Sequence, residues 1–399
     1  MRAKHCSLFR IYCRNKRLRL RRQTNRMTEE FGKVSLLSDD ELGLIFKFLN
    51  DPDDRKSFSE VCKQWSKIEG LNRSSFRLLQ SDLLRRVLPR CPNLITFQTQ
   101  EPLSDADLEF LAQTCPRLQV INLSIRDDVN ASKVQANLES NGVCALVNHC
   151  PYIIKLLLRG RLKSRFAPAR ELLPNLTHLD LGLCYKVEDD DIEAIGSAAG
   201  SVTYLNLESC FCITDRGLGF MSRALLSKTL KTLVLAKCSK ITDWGVSALQ
   251  NICCLENLNL ANHGARITDA GGLAISEIKT LKKLNLAGVM SLTDRTVVAL
   301  ARNCLDLEVL DLSDCQKVTA AGLLAFRSHT SLNALVLLYC FRFFGSDFEH
   351  LVLECPTLKC IVVDEYVGRQ ILPEMQESTR KCVSYSFNFD WSFRDLENL

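Results

Sequence analysis

Cysteine is the side chain with the most chemistry to offer in this 399-residue sequence, with nineteen copies against six histidines. A thiolate can act as a nucleophile or bind zinc, but zinc sites need cysteines and histidines at short, characteristic spacings. The sequence has no CxxC pair, no Cys/His set at metal spacing, and no HExxH, P-loop or GxSxG motif. Its repeat histidines are scattered through separate units. We therefore predict a protein that is not an enzyme and has no metal site and no cofactor.

Many of the cysteines fall at fixed positions of a repeating pattern. One group stands where the pattern turns, and a second stands three residues before the leucine that opens a unit. Equivalent positions in stacked units lie side by side, so we expect small, reduced core residues in a reducing compartment. No secretory signal is evident in the sequence. The first group is Cys184, Cys210, Cys238, Cys315 and Cys340, and the second is Cys91, Cys115, Cys150, Cys304 and Cys355.

The repeating unit is clearest at residues 230–252, LKTLVLAKCSKITDWGVSALQNI. Leu233 and Leu235 alternate with smaller residues, which is the period of a strand with one buried face. A cysteine then marks a tight corner. Thr242 and Asp243 carry side-chain acceptors suited to a helix start, and apolar residues at intervals of three follow as on one helix face. Each unit therefore predicts a strand, a turn and a helix.

Such units must stack, because a helix of about ten residues is marginal alone and a lone strand leaves its backbone groups unpaired. Strands stack at about 4.8 Å and helices at about 8–10 Å, which curves the stack into a horseshoe with its strands inside. The unit resembles a leucine-rich repeat, and the resemblance implies an α/β solenoid of about eleven repeats over residues 94–364. The opening residues are Leu94, Leu118, Ile153, Leu176, Val202, Leu230, Leu255, Leu281, Leu307, Leu332 and Leu358.

The net charge of +5 is unevenly distributed. Residues 1–26 contain ten Lys and Arg and no Asp or Glu, so the remaining residues carry a net −5. This mildly acidic body gives no electrostatic case for binding nucleic acid, and no apolar run approaches the roughly 18 residues of a membrane helix. We expect residues 1–33 to be a basic, disordered extension. A nuclear-localisation patch and an organelle-targeting segment are the alternatives for residues 1–26, and Met27 is an alternative start.

Residues 34–70 follow a different pattern, with apolar residues at helical spacing on both sides of Pro52. The segment LLSDDELGLIFKFLNDPDDRKSFSEVCKQWSKIE resembles an F-box, although it has Ser38 where that family usually has proline. The residues that carry the resemblance are Leu37, Ile45, Leu49, Val61, Cys62, Lys63 and Trp65. A helical cap for the solenoid is the alternative interpretation.

So small a segment is expected to leave its apolar side chains for a partner to cover, since domains below about 40 residues usually need outside support. The resemblance implies that this partner is a Skp-type adaptor. The predicted adaptor-binding residues are Leu37, Leu42, Ile45, Phe46, Leu49, Val61, Cys62 and Trp65.

F-box proteins with leucine-rich repeats are typically substrate receptors of cullin-based ubiquitin ligases. The resemblance therefore implies an adaptor and a cullin as partners, an unidentified protein substrate on the horseshoe, and a nuclear or cytoplasmic location. In such a complex the receptor contributes proximity rather than chemistry. Two alternatives stay open: a repeat scaffold with no role in ubiquitin transfer, and a small-molecule-dependent receptor similar to the plant auxin and jasmonate receptors.

The two ends of the solenoid carry their own patterns. Residues 71–93 have leucines at helical spacing, which predicts a linker helix packed on the first repeat. Residues 365–399 are predicted to cap the last repeat, because a strictly alternating segment within them has one apolar face that suits an open sheet edge. A partner-binding strand is the alternative. The apolar residues of this segment are Val383, Tyr385, Phe387, Phe389, Trp391 and Phe393.

The third unit lacks both the cysteine and the Thr-Asp turn and reads RGRLKSRFAPAR instead. Arg159, Arg161 and Arg165 in this loop predict a possible anion site, because arginine offers paired donors to oxyanions. A solvated loop is the alternative.

Aromatic residues stand in several turns where other units have polar ones. Because the repeat does not demand them and aromatics are common at binding hot spots, we predict that they bind the substrate. Packing of these rings against a neighbouring turn is the alternative. Polar residues on the strands are weaker candidates, since any horseshoe needs them for solubility. The predicted substrate-binding residues are Tyr185, Phe211, Tyr339, Phe341, Arg342 and Phe344, and the polar strand residues are Asp180, Asn206, Asn259, Asn285 and Asp311.

Overall fold

The computed structural model describes residues 37–49, 51–125, 138–166, 174–198, 200–343, 345–364 and 383–384. These residues form three N-terminal helices followed by a thirteen-stranded parallel sheet, in which the strands follow one another in chain order. A parallel sheet built in strict chain order, with helices of successive units packed side by side, is a solenoid. The predicted α/β repeat fold is confirmed.

The strands are short, and each pairs with the next in register, so that Leu233 lies opposite Leu258 and Leu258 opposite Leu284. The strands are β1 (Ser75–Leu78), β2 (Thr96–Thr99), β3 (Val120–Asn122), β4 (Lys155–Leu157), β5 (His178–Asp180), β6 (Tyr204–Asn206), β7 (Thr232–Val234), β8 (Asn257–Asn259), β9 (Lys283–Asn285), β10 (Val309–Asp311), β11 (Ala334–Leu337), β12 (Cys360–Val363) and β13 (Val383–Ser384). All eleven predicted opening residues are buried in one continuous core.

The helices begin with three before the sheet, α1 (Asp39–Lys47), α2 (Pro52–Ser59) and α3 (Lys63–Asn72). The helices between strands are α4 (Leu84–Val87), α5 (Asp105–Thr114), α6 (Ser140–His149), α7 (Asp189–Ala198), α8 (Asp215–Arg223), α9 (Asp243–Ala248), α10 (Asp269–Ser276), α11 (Asp294–Asn303), α12 (Ala320–Leu323) and α13 (Gly345–Glu354). Several of them continue into a short 3₁₀ turn.

The prediction of a single linker helix at residues 71–93 is wrong. The chain leaves α3 at Asn72 and enters β1, where Phe76 lies opposite Phe97, and α4 follows with a 3₁₀ turn on either side. Leu78, Leu84 and Leu88 are buried in the core of the repeats. Their helical spacing misleads because one belongs to a strand and the others to short helical turns that share that core.

The sheet also continues beyond the last predicted repeat. Val383 and Ser384 form β13, which pairs with Ile361 and Val362 of β12. This strand lies at the start of the segment of alternating apolar and polar residues that is predicted to cap the last repeat. The rest of the aromatic tail, residues 385–399, and the basic extension, residues 1–33, lie outside the described residues.

The corner after each strand explains the recurrent cysteines. The chain turns through a residue of positive φ, such as Lys237 at 62°, and then directs the cysteine into the core. The Sγ of Cys238 donates to the carbonyl of Leu207 in the preceding unit at 3.1 Å, a weak hydrogen bond that couples the two units. Cys184, Cys210, Cys315 and Cys340 make the same contact at 3.3–3.5 Å. The prediction that these cysteines are buried is confirmed.

The Thr-Asp turns do more than start a helix. Thr242 caps α9 by accepting from the amide of Trp244, whereas the carboxylate that receives the Thr242 amide and hydroxyl belongs to Asp215 of the previous unit. The same pairing links α7 through α12, with amide contacts of 2.7–3.0 Å and hydroxyl contacts of 2.6–2.7 Å. We call this row of contacts the aspartate ladder. Its acceptors are Asp189, Asp215, Asp243, Asp269 and Asp294, and its donors are Thr214, Thr242, Thr268, Thr293 and Thr319.

The ladder explains the glycine that follows two residues after the Asp position. A Cβ at Gly245 would overlap the Asp215 carboxylate, and the same holds for Gly271 and Asp243. Glycine is therefore required for the close approach of the neighbouring carboxylate. In the one unit with Thr296 at this position, the threonine hydroxyl donates to Asp269 at 2.6 Å instead.

The polar strand residues do not form the exposed row that the sequence predicts. Asn206, Asn259 and Asp311 are buried, and the side-chain oxygen of each accepts from the backbone amide two residues later at 2.9–3.0 Å. Asp180 and Asn285 make the same contact. These side chains stabilise the turn that follows each strand, because the backbone amide in that turn would otherwise lack a hydrogen-bond acceptor.

One corner holds His263 in place of the cysteine. Burial lowers the pKa of His263, whose Nδ1 lies 2.8 Å from the Leu260 carbonyl. An unfolded chain binds a proton on this histidine below about pH 6.5, whereas the folded chain resists protonation. The stability that His263 contributes is therefore complete above that pH and decreases as the pH falls below it.

We expect His263→Cys, which introduces the residue found at the preceding corner, to reduce this acid sensitivity. The measurement is urea unfolding of both chains at about pH 7.5 and about pH 5.5, where the wild type should lose more free energy of unfolding than the variant. An equal loss in both chains would show that His263 does not control the response.

Candidate functional site

The helices α1 to α3 form a small core of their own. Phe58 packs against Phe46 with ring centroids 5.4 Å apart and against Trp65 at 4.4 Å. Leu42, Leu49 and Ile68 complete this core. The expectation that Leu42, Phe46, Leu49 and Trp65 form an open apolar face is therefore wrong, because these side chains bury one another.

The remaining predicted adaptor residues lie nearer the surface. Leu37, Ile45 and Val61 are half-buried against the small core, and Cys62 is exposed at the start of α3. Two apolar side chains that the sequence analysis did not select are far more exposed, Leu44 at 57% and Phe48 at 66%. They are four residues apart at the end of α1, so they share one face. A helical-wheel argument finds only the inward face, which is why these two residues were missed.

Ser38, which departs from the usual proline, is a well-formed helix cap. Its hydroxyl lies 3.3 Å from the Glu41 amide, and the Glu41 carboxylate accepts from the Ser38 amide at 2.9 Å. This capping box satisfies the first free amides of α1. The substitution therefore preserves the start of the helix.

The helical module is joined closely to the first strand of the sheet. A Cβ at Gly70 would overlap the carbonyl of Arg90, so α3 lies directly against the first repeat there. The Asn93 side chain donates to the Leu71 carbonyl at 3.0 Å, and the Ser74 carbonyl accepts from the Thr96 amide at 2.9 Å. Only Arg73 and Ser74 separate α3 from β1. The two modules are therefore connected without a spacer.

The predicted anion-binding loop is wrong for Arg159 and Arg161, which are both buried. Arg161 donates to the backbone carbonyls of Leu123 and Gln100, the latter at 2.6 Å. Burial lowers the pKa of Arg161. The third unit lacks the cysteine corner. The Arg161 contacts connect it instead to the second and first units.

Arg159 and Arg165 form ion pairs with carboxylates. Arg159 lies 2.8 Å from Glu208. The half-exposed Arg165 contacts Glu188 at 3.4 Å and Asp190 at 3.3 Å, and the nearby Asp191 carboxylate raises its pKa. All three guanidinium groups thus have acceptors within the chain, which favours a structural role for the described part of this loop.

The predicted aromatic residues of the turns are exposed, but they lie in two places. Tyr185 and Phe211 follow the corners after β5 and β6, and their rings stack in parallel with centroids 5.2 Å apart. Tyr339, Phe341 and Arg342 follow β11 and are also exposed, Phe341 at 65%. Five inter-strand spacings of about 4.8 Å separate β6 from β11, which puts roughly 24 Å between the two groups.

The remaining aromatics of this turn have different outcomes. Phe343 is buried against Phe348 with ring centroids 6.0 Å apart, as its core position predicts. Phe344 lies outside the described residues. Met290 occupies the turn position of Tyr185 and Phe341 in an intermediate unit and is exposed. The aromatic pattern of the turns does not reveal Met290, because methionine is apolar without being aromatic.

Comparison with known protein families identifies an F-box at residues 35–75 and a leucine-rich repeat at residues 173–196 and 303–326. The chain therefore contains an F-box followed by leucine-rich repeats. A chain of the crystal structure of the Rad7 and Elc1 complex in yeast matches with a TM-score of 0.51 and 15% identity, over 91% of this chain and 94% of that chain. That likeness shows a common fold. The TLR13–ssRNA13 complex matches with a TM-score of 0.48 and 18% identity, over 76% of this chain and 41% of that chain.

Within the described residues, no helix combines the length and the apolar character that crossing a membrane would require. No group of three or more His, Cys, Asp or Glu side chains in that part of the chain is arranged to hold a metal ion.

Proposed function

We propose that this chain is the substrate-recognition subunit of a Skp–cullin–F-box ubiquitin ligase. The F-box helices bind a Skp-type adaptor, and the turns of the leucine-rich repeats bind a protein substrate. The chain itself contributes no catalytic group. Its location in this proposal is the nucleus, the cytoplasm or both, where such ligases act.

The observation that carries the adaptor assignment is the exposed pair of Leu44 and Phe48. The F-box satisfies its own core, so these two side chains are not needed for its folding. Apolar groups kept at the surface of a folded module mark protein interaction sites. An adaptor that covers them would gain about 1.5–3 kcal/mol for each side chain buried.

The close junction supports the proposed role of the repeats. The contacts of Gly70, Asn93 and Ser74 fix the F-box against the first repeat. A substrate on the turns is therefore held at a defined position relative to the adaptor. Raising the local concentration of a substrate beside a ligase needs no chemistry from the receptor.

Affinity purification of the tagged full-length chain from proteasome-inhibited cells tests this function. We expect a Skp-type adaptor and a cullin to copurify with the wild type, together with ubiquitin-modified proteins. A chain with Leu44→Asp and Phe48→Asp should lose the adaptor and the cullin and retain the substrate. Recovery of substrate from a wild type that never binds an adaptor would instead identify a scaffold.

A further inference from the structure

The turns that carry the aromatic residues also carry a row of basic ones. In each turn, the residue directly before the buried apolar side chain that closes the corner is exposed or half-exposed. In seven consecutive units this residue is basic five times and never acidic. We call these five side chains the basic row: Lys186, Lys240, Arg266, Lys317 and Arg342.

A row of apolar side chains runs beside the basic row. It contains the exposed Tyr185, Phe211, Met290 and Phe341, one residue earlier in their respective turns. The basic and apolar rows occupy the same edge of the solenoid because consecutive turns stack. Backbone bridges of Thr214 with Lys240 and of Thr293 with Lys317 connect neighbouring turns directly.

Within the described residues, the basic row has no carboxylate partner. None of its five side chains forms an ion pair with another described residue. The carboxylates near this edge have other partners: Glu188 contacts Arg165, Glu208 contacts Arg159, and Asp314 accepts from the Gln316 amide at 2.6 Å. The aspartates of the ladder, two residues after the apolar residue that closes each corner, accept from threonines. The edge therefore presents five basic side chains that are available for the carboxylates of a partner.

The spacing of the turns fits an extended polypeptide. Neighbouring units are about 4.8 Å apart at the strands and about 8–10 Å apart at the helices, and the turns lie between these layers. Side chains on one face of an extended segment recur about every 6.8 Å. Such a segment could place an acidic side chain near successive turns and direct apolar side chains to the neighbouring row.

We propose that this edge binds an acidic, extended peptide segment in which carboxylates alternate with apolar residues. This inference names the class of substrate for the function proposed above and rests on it. Lys186, Lys240, Arg266, Lys317 and Arg342 pair with the carboxylates. The exposed rings at both ends of the edge and Met290 between them contact the apolar residues.

Fluorescence anisotropy with the purified full-length chain tests this proposal. The probe is a labelled synthetic peptide that alternates Glu with Leu and Ala, and the control peptide has Gln in place of every Glu. The variant is Lys186→Glu/Lys240→Glu/Lys317→Glu. The matched control is Lys228→Glu/Lys279→Glu/Lys359→Glu, which changes the net charge equally at exposed lysines beyond the opposite ends of the strands.

We expect the acidic peptide to bind the wild type and the matched control with similar affinity, and to bind the edge variant at least about tenfold more weakly. Added salt should weaken binding, because exposed charges are screened over about 10 Å at 0.1 M. Equal binding of the Gln peptide, equal losses in both triple variants, or no binding to the wild type would overturn the proposal.

Two further binding measurements distinguish this proposal from a nucleic-acid surface and from failure of the proposed ligase role. An oligouridylate that binds the edge more tightly than the acidic peptide would identify a nucleic-acid surface and overturn the peptide assignment. Binding of a purified Skp-type adaptor, measured on the same three chains, should be unchanged. Absence of peptide binding to the wild type, with intact adaptor binding, would refute only the edge assignment, whereas failure of the wild type to bind adaptor would refute the proposed ligase role.

Discussion

The double substitution Leu44→Asp/Phe48→Asp should abolish binding of a Skp-type adaptor and leave the chain folded. Both side chains are mostly exposed, so two carboxylates there remain in water in the free protein. In a complex they would replace two apolar contacts worth about 3–6 kcal/mol together, which corresponds to at least about a hundredfold in Kd. Isothermal titration of the full-length chain with purified adaptor measures the effect.

Two controls make this result specific. Lys56→Asp/Arg77→Asp introduces the same number of carboxylates at exposed basic positions of α2 and β1 and should bind nearly as the wild type does. Trp65→Ala should also weaken binding, but together with a loss of F-box stability, because Trp65 is a core residue. Unchanged adaptor affinity in the Leu44/Phe48 variant would place the adaptor surface elsewhere.

The substitution Cys238→Asp should strongly destabilise the repeats. The side chain is fully buried and its thiol donates to the Leu207 carbonyl. Burial raises the pKa of this thiol to about 12, which shows how strongly the corner disfavours a negative charge. An unpaired carboxylate there would cost at least about 3–5 kcal/mol or would have to take up a proton.

Thermal and urea unfolding of three variants separate charge from size at this corner. Cys238→Ser keeps a donor of similar shape and should cost far less than Cys238→Asp. Cys238→Ala loses the contact to Leu207 without adding a charge and should fall between the wild type and the aspartate variant. A stability of Cys238→Asp close to that of Cys238→Ser would mean that the corner admits water.

The repeats were predictable because their signal is local and recurs. The strand leucines, the corner cysteines and the Thr-Asp turns each occupy a position that the period repeats, and each is found where the pattern predicts it. The linker failed for the opposite reason. Its leucines have helical spacing by coincidence, since Leu78 belongs to a strand and Leu84 and Leu88 to short helical turns.

The partners of polar side chains were not predictable from spacing. Arg161 reads as a surface charge, but its acceptors are carbonyls at Gln100 and Leu123, far away in sequence. Asp215 reads as a cap for its own helix, but it binds Thr242 in the next unit. Such contacts depend on the stacking of units, which a single sequence window does not contain.

The exposed surfaces were predicted least well. The sequence reveals which side chains prefer burial, but whether a module of three helices can bury them depends on its packing. Phe46, Phe58 and Trp65 pack closely enough to complete a core from few residues. The pair that remains outside, Leu44 and Phe48, could be recognised only once that core was known.

The aspartate ladder also bears on how an array of this kind can grow or shrink. Each contact of the ladder joins a carboxylate of one unit to a threonine of the next unit. The glycine that allows the carboxylate to approach lies in the same unit as that threonine. Every unit from α8 to α11 thus carries a threonine that donates to the preceding unit and an aspartate that accepts from the following unit. Excising residues 216–243 would bring Asp215 into the position that Asp243 occupies opposite Thr268. Removal or duplication of a whole unit in this region would therefore leave the Asp–Thr contacts between the remaining units complete.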